Sequence, residues 1–124
     1  MIDHFSFGTQ RYSAAVTFYG QVLAPLGISL QRDTGAEAAF GTPQRWFFFL
    51  YPAQAGQGVN GDRTHIAWQA PSRAAVEAVH AAALGNGAAS LFTPRTRPDI
   101  GETYYGAMFT DLDGHRIEVK TEAA

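Results

Sequence analysis

Hydrophobic and polar residues alternate near the start of the chain and then cycle with a helical period. Across residues 3–8, Phe5 and Phe7 fall on one side while His4 and Ser6 fall on the other, the period of a half-buried strand. From Tyr12 to Leu26 the apolar positions Ala15, Phe18, Tyr19, Val22, Leu23 and Leu26 recur at helical spacing, predicting a helix with Ser13 near its start and Gly27 at its end. Two short extended pieces, 28–32 and 37–40, flank the turn residues Asp33, Thr34 and Gly35. A Thr42-Pro43 turn then leads into the aromatic run Trp46 to Tyr51, which is continuous instead of alternating and so predicts a strand dry on both faces.

Residues 53–63, rich in Gly, Gln and Ala without periodicity, read as a connecting loop. After it the order of elements starts again. Thr64 to Gln69 alternates, with Ile66 and Trp68 on one face and His65, Ala67 and Gln69 on the other. Ser72 is placed to cap a helix running to Leu84, whose apolar side carries Ala75, Val76, Val79 and Ala83 and which stops at Gly85-Asn86-Gly87. Beyond Leu91-Phe92, a polar loop is expected from Thr93 to Glu102, then a strand from Thr103 to Phe109. Asp113-Gly114 is a strong turn signal, and the final strand puts Ile117 and Val119 on one face and Arg116, Glu118 and Lys120 on the other.

The two halves can be laid on each other. His4-Phe5-Ser6-Phe7 falls on His65-Ile66-Ala67-Trp68 at an offset of 61, and Ala14-Ala15-Val16 falls on Ala74-Ala75-Val76 at an offset of 60. The expected organisation is an α+β chain of two βαβββ modules, each too small to bury its own sheet face, joined in one domain over 1–124. Module one is 1–52, the connecting loop 53–63 and module two 64–124.

Composition narrows the chemistry. A net charge of −2 over 124 residues gives no footprint for nucleic acid. The absence of cysteine removes disulfides, thiolate ligands and cysteine nucleophiles, so any metal site must use His, Asp and Glu. No apolar run approaches the length of a membrane span, and Met1-Ile2-Asp3-His4 lacks the basic and apolar regions of a signal peptide, so a cytoplasmic location is the expectation.

Each module's first strand carries a His on its polar face, and the last strand of module two adds Glu118 there. His4, His65 and Glu118 form a ligand set suited to Fe, Ni, Mn, Co or Zn, with positions left open. By the internal symmetry Glu118 corresponds to Phe48 or Phe49, neither of which binds a metal. Arg95 and Arg97 precede the strand bearing Tyr104 and Tyr105, where they can hold a carboxylate or phosphate of a substrate. Tyr104 and Tyr105 alternate, so only one can face a bound substrate. One side of the strand bearing Phe48 and Phe49 is expected to pack in the core and the other to line a binding surface that favours an apolar substrate. His80 and His115 have no partner at matching positions and are expected to be exposed; Lys120 reads as rim charge.

His4 in Asp3-His4-Phe5, Phe18-Tyr19 with Leu26-Gly27, Thr64-His65-Ile66-Ala67, Tyr104-Tyr105-Gly106-Ala107 and the stretch from Asp111 to Glu118 together resemble the vicinal oxygen chelate superfamily. That group includes glyoxalase I, extradiol dioxygenases, and fosfomycin-resistance and bleomycin-binding proteins. The resemblance implies two βαβββ modules curled into an open, barrel-like mixed sheet around a cleft, helices outside, often in a homodimer. It also implies a divalent metal on the first and last strands. His4, His65 and Glu118 match three of the four glyoxalase I ligand positions, and the aromatic at the fourth argues against lactoylglutathione chemistry. The function implied is a glyoxalase-like metal-dependent enzyme, a lyase, isomerase or dioxygenase, in which the metal chelates two adjacent oxygens of a small, partly apolar substrate. Its rival is a metal-free drug- or metabolite-binding protein of the bleomycin-resistance kind. No catalytic residue beyond the metal ligands is assigned.

Overall fold

In the computed structural model, which describes residues 1–59, 61 and 63–124, the elements follow the duplicated order. Module one contains β1 (Phe5–Thr9), α1 (Tyr12–Val22), β2 (Ser29–Asp33), β3 (Ala38–Thr42) and β4 (Arg45–Pro52). Module two contains β5 (His65–Gln69), α2 (Arg73–Gly85), β6 (Ala89–Thr96), β7 (Tyr105–Thr110) and β8 (Arg116–Thr121). Each module forms a four-stranded mixed sheet, in the order β1-β4-β3-β2 and β5-β8-β7-β6. In both, the first strand pairs parallel with the last, and the other pairs are antiparallel.

Two boundaries differ most from the sequence expectation. The first helix stops at Val22 and gives way to a 3-10 turn over Ala24–Leu26, because Pro25 has no N–H for an α-helical bond; Gly27, at φ 75°, closes the turn in the left-handed region. The segment from Thr93 to Thr96, expected as loop, instead extends β6. Pro94 is tolerated there because β6 is an edge strand and its pairing with β7 is irregular between Phe92 and Arg95. The second helix starts as expected, with Ser72 Oγ accepting the Ala75 N–H at 3.1 Å.

The helices cover one face of each sheet and touch each other, so the modules share one apolar core. Phe18 and Tyr19 on α1, Phe40 and Phe48 on β3 and β4, and Phe109, Ile117 and Val119 on β7 and β8 are fully buried. Side chains of this size each contribute on the order of 1.5–3 kcal/mol when withdrawn from water. β4 is dry on one face only: Phe48 and Leu50 are buried under the helix, while Phe47 and Phe49 on the alternate positions are half-buried.

The sheets are separate ladders whose edge strands β1 and β5 lie side by side. The Phe5 ring lies 5.4 Å from Trp68, and Phe7 stacks on His115, just before β8, at 4.2 Å. Since β5 and β8 are parallel, β1 runs antiparallel to both. The Asp111–His115 turn ties the modules. Asp111 accepts the Tyr19 hydroxyl of α1, Asp113 accepts the Thr9 hydroxyl at 2.5 Å and the Gln10 N–H at 2.8 Å, and His115 Nε2 donates to Gly8 O at 2.9 Å.

Candidate functional site

On β8 alternation sends Ile117 and Val119 into the core and leaves Arg116, Glu118 and Lys120 on the open face of the second sheet. His65, at the start of β5, is on the same sheet, and its Nε2 lies 3.5 Å from Glu118 Oε1. The imidazole is 45% exposed and the carboxylate 14%, so the pair is accessible from the His side. His65 Nδ1 faces Arg63 O at 3.3 Å. Glu118 Oε2 accepts the Tyr104 hydroxyl at 2.9 Å. Burial, then that bond to the Glu118 carboxylate, pushes the Tyr104 phenol well above its ordinary pKa, so it stays protonated and donates this bond.

His4 is not beside this pair. It bonds Asp3 at 2.6 Å, meets Phe49 edge-on at 5.4 Å and lines a groove of about 230 Å3 with Ile2, Phe5, Arg45 and Phe47. His65 instead borders a cavity of about 350 Å3 shared with Ser6, Gly8, Val59, Thr64 and Arg116. The antiparallel run of β1 past β5 explains the separation. Phe5 is level with Trp68, so His4 lies beyond it, away from His65. Among the described residues no group of three or more His, Asp or Glu side chains is placed to hold a metal within one chain.

The ladder registers decide which residue stands in place of Glu118 in module one. Phe5 pairs with Phe48 and Ser6 with Phe49, while the matching Ile66 and Ala67 pair with Ile117 and Glu118. Phe49 is therefore the counterpart of Glu118, and the His4–Phe49 contact is the module-one version of the His65–Glu118 pair. Phe48 is excluded from any cleft: it is fully buried against Phe5, Tyr19, Phe40 and Trp68.

Of the tyrosines, Tyr104 faces Glu118 and Tyr105 turns away to α2, donating to Glu77 Oε1 at 2.8 Å under the Arg73 guanidinium. Arg95 and Arg97 both lie against the Phe92 ring, at 5.0 and 5.2 Å from its centroid. Arg97 is held by Asp99 through two bonds of 2.8 and 2.6 Å, which keep its pKa above the ordinary value, with smaller contributions from Tyr104 and Glu118. Arg95 keeps an exposed side chain. Phe92, Met108, Glu118 and Ala67 form one cross-strand row, so Phe92 and Met108 are apolar neighbours of the carboxylate that the sequence reading passed over. Met108 was legible in principle, since it and Glu118 are equidistant from Asp113 in a hairpin.

Neither remaining histidine is exposed, contrary to expectation. His80 packs under β6 with Nε2 2.8 Å from Ser90 Oγ, and burial holds its pKa below 6.5. His115 is buried between the modules on Phe7 and Gly8 O.

As metal donors, His65 Nε2 and Glu118 Oε1 fit two positions of one ion: an imidazole nitrogen and a carboxylate oxygen at about 2.0–2.2 Å from a common cation come close to each other. The carboxylate's other oxygen already has the hydrogen-bond support that metal-binding carboxylates take.

Several solved structures share this fold. A glyoxalase/bleomycin resistance protein from Albidiferax ferrireducens superposes with a TM-score of 0.86 at 24% identity, covering 98% of both chains. A glyoxalase/dioxygenase from Nostoc punctiforme gives 0.74 at 22% identity, covering 100% of this chain and 92% of that one. A fosfomycin resistance protein from Mesorhizobium loti gives 0.70 at 16%, covering 98% and 91%. None of the curated proteins matches the sequence. The family model of the Glyoxalase/Bleomycin resistance protein/Dioxygenase superfamily matches residues 1–119. With the paired sheets and nearly full-length match, this chain belongs to the glyoxalase/bleomycin resistance protein/dioxygenase superfamily.

Proposed function

We propose that the protein is a glyoxalase-like metal-dependent enzyme acting on a small, partly apolar substrate with two adjacent oxygens. His65 and Glu118 hold a divalent cation, Fe, Ni, Mn, Co or Zn, and His4 from a second copy completes the site. The observation that carries this reading is the His65 Nε2–Glu118 Oε1 approach of 3.5 Å on an open sheet face, with the other carboxylate oxygen tied to Tyr104.

His4 belongs to the partner's site for a topological reason. It and Phe49 occupy on the first sheet the places that His65 and Glu118 occupy on the second, yet one chain directs the two histidines to opposite ends of the β1–β5 junction. A two-fold dimer that sets the first sheet of one copy against the second sheet of the other brings the sets together reciprocally, giving two equal sites. The cation supplies Lewis acidity toward the chelated oxygens. Phe49, Phe92 and Met108 provide apolar wall, Tyr104 fixes Glu118, and the exposed Arg95 is suited to an acidic group at the rim, with Arg97 beside it on Asp99.

Metal content after loading, measured on wild type, His4→Ala, His65→Ala and Glu118→Gln, tests the assignment. Each variant is expected to lose metal, and a wild type that holds no more than the variants sinks it. Mixing His4→Ala with Glu118→Gln protein tests the shared site. Random exchange of subunits leaves about a quarter of the sites intact, so metal returns to roughly that fraction; no recovery after exchange excludes a site shared between copies.

Among the described residues one chain brings only two donors together, and with Phe49 as the counterpart of Glu118 this favours one rival: a metal-free binder of apolar small molecules. Thermal stabilisation by ligands that survives chelator supports it, and loss of that stabilisation on chelation removes it.

A further inference from the structure

The hairpin of β7 and β8 contains a backbone gap next to Glu118. Gly106 pairs with Lys120, one step along the same face from the Met108–Glu118 pair. A Cβ at Gly106 meets the Tyr104 hydroxyl inside van der Waals contact, the ring carbon bearing it at 2.6 Å and Val119 O at 2.9 Å. The space a side chain would fill at Gly106 is thus occupied by the phenol of Tyr104. Tyr104, 2% exposed, folds its ring back over the strand that follows it and delivers its hydroxyl to Glu118 Oε2. Lys120 covers the ring, with Nζ 5.8 Å from its centroid, and is itself held by Glu122 at 3.2 Å.

We propose that Gly106 and Tyr104 act as one positioning device for Glu118: the missing side chain at Gly106 admits the phenol, and the phenol occupies Oε2 so that Oε1 alone is presented toward His65. The proposal rests on the reading of His65 and Glu118 as metal ligands. Within it, Tyr104 is a positioning residue, acting through Glu118 and touching neither cation nor substrate. A carboxylate with both oxygens free can rotate or offer both to a cation; this one is held to a single-oxygen role. The position thereby saved stays open to substrate, which a site that binds two adjacent oxygens requires. The device depends on Gly106 for lack of bulk, since its backbone sits in a regular ladder and has no need of a left-handed conformation.

Cobalt(II) titration of the full-length protein, with equilibrium dialysis for affinity and visible absorption for the ligand field, tests this. Wild type is expected to bind cobalt with a defined band. Tyr104→Phe, which keeps the ring and removes the hydroxyl, is expected to bind about ten- to a hundred-fold more weakly, the range for loss of a partner behind a ligand, with a shifted band. Gly106→Ala, whose Cβ would displace the phenol, is expected to weaken cobalt binding and shift the band in the same direction. A Tyr104→Phe protein with wild-type affinity and an unshifted band overturns the positioning role while leaving the metal site standing. A wild type that binds no cobalt overturns the metal reading and this inference together. Should Gly106→Ala fail to fold, Tyr104→Phe alone decides.

Discussion

Single residues in this molecule owe their roles to which face of a strand or helix they occupy. Tyr104 and Tyr105 are adjacent in sequence, yet one hydroxyl holds Glu118 and the other Glu77. Alternation guarantees the split, but only the ladder register tells which goes where. His80 illustrates the reverse error, a polar residue judged exposed that is buried on the inner side of α2. Its burial carries a pH dependence. The folded-state pKa lies below 6.5, so below about pH 6.5 the unfolded chain binds more protons than the native one, and stability present above that value declines as pH falls. Urea denaturation at about pH 7.5 and 5.5 is expected to show a larger loss for wild type than for His80→Gln. Equal losses in the two proteins refute this assignment.

At the scale of elements, the turn between β7 and β8 does more than reverse the chain. Gly114, at φ 86°, supplies the left-handed position that Asp113-Gly114 announces in the sequence. The side chains around it bind module one: Asp111 to Tyr19, Asp113 to Thr9 and Gln10, His115 to Gly8 and Phe7. Burial raises the Asp111 pKa, opposed by the bonds from Tyr19 and the backbone N–H groups of Asp113 and His115, so its carboxylate is tolerated because it is fully engaged. Asp113→Ala is expected to cost about 1–3 kcal/mol, the price of stranding buried Thr9 and an N–H. Chemical denaturation measures it, and a variant as stable as wild type shows that the turn does not tie the modules. β6 teaches a different lesson: Pro94 reads as a strand breaker, but an edge strand with irregular pairing accepts it.

For the whole molecule the duplication sets the architecture and the junction sets the site. Both modules keep the same element order and ladder pattern, so the βαβββ repeat was readable from two polar-face histidines and matching helices. Each sheet has one face under its helix and one open, and in the proposed arrangement the open faces of two copies supply His4 and the His65–Glu118 pair to one site. If the second half comes from another copy, dimerisation and metal binding are linked, and stability depends on protein concentration. Light scattering is expected to give a dimer, and the thermal midpoint is expected to rise with concentration, more strongly in the presence of metal. A monomer whose metal content equals that expected for a full site contradicts the arrangement.

From the sequence alone came the repeat, most strands and helices to within a few residues, and the placement of Glu118 on the polar face of the last strand. These follow from local periodicity and turn chemistry, which act over a few residues. The approach of His65 to Glu118 across a parallel ladder, which phenylalanine replaces Glu118, which tyrosine supports it, that His80 and His115 are interior, and that His4 lies away from His65 depended on the tertiary structure. Each of those is set by register between strands distant in sequence or by the direction in which two modules pass each other, and a one-residue slip or a reversed edge would change them without altering the pattern along the chain.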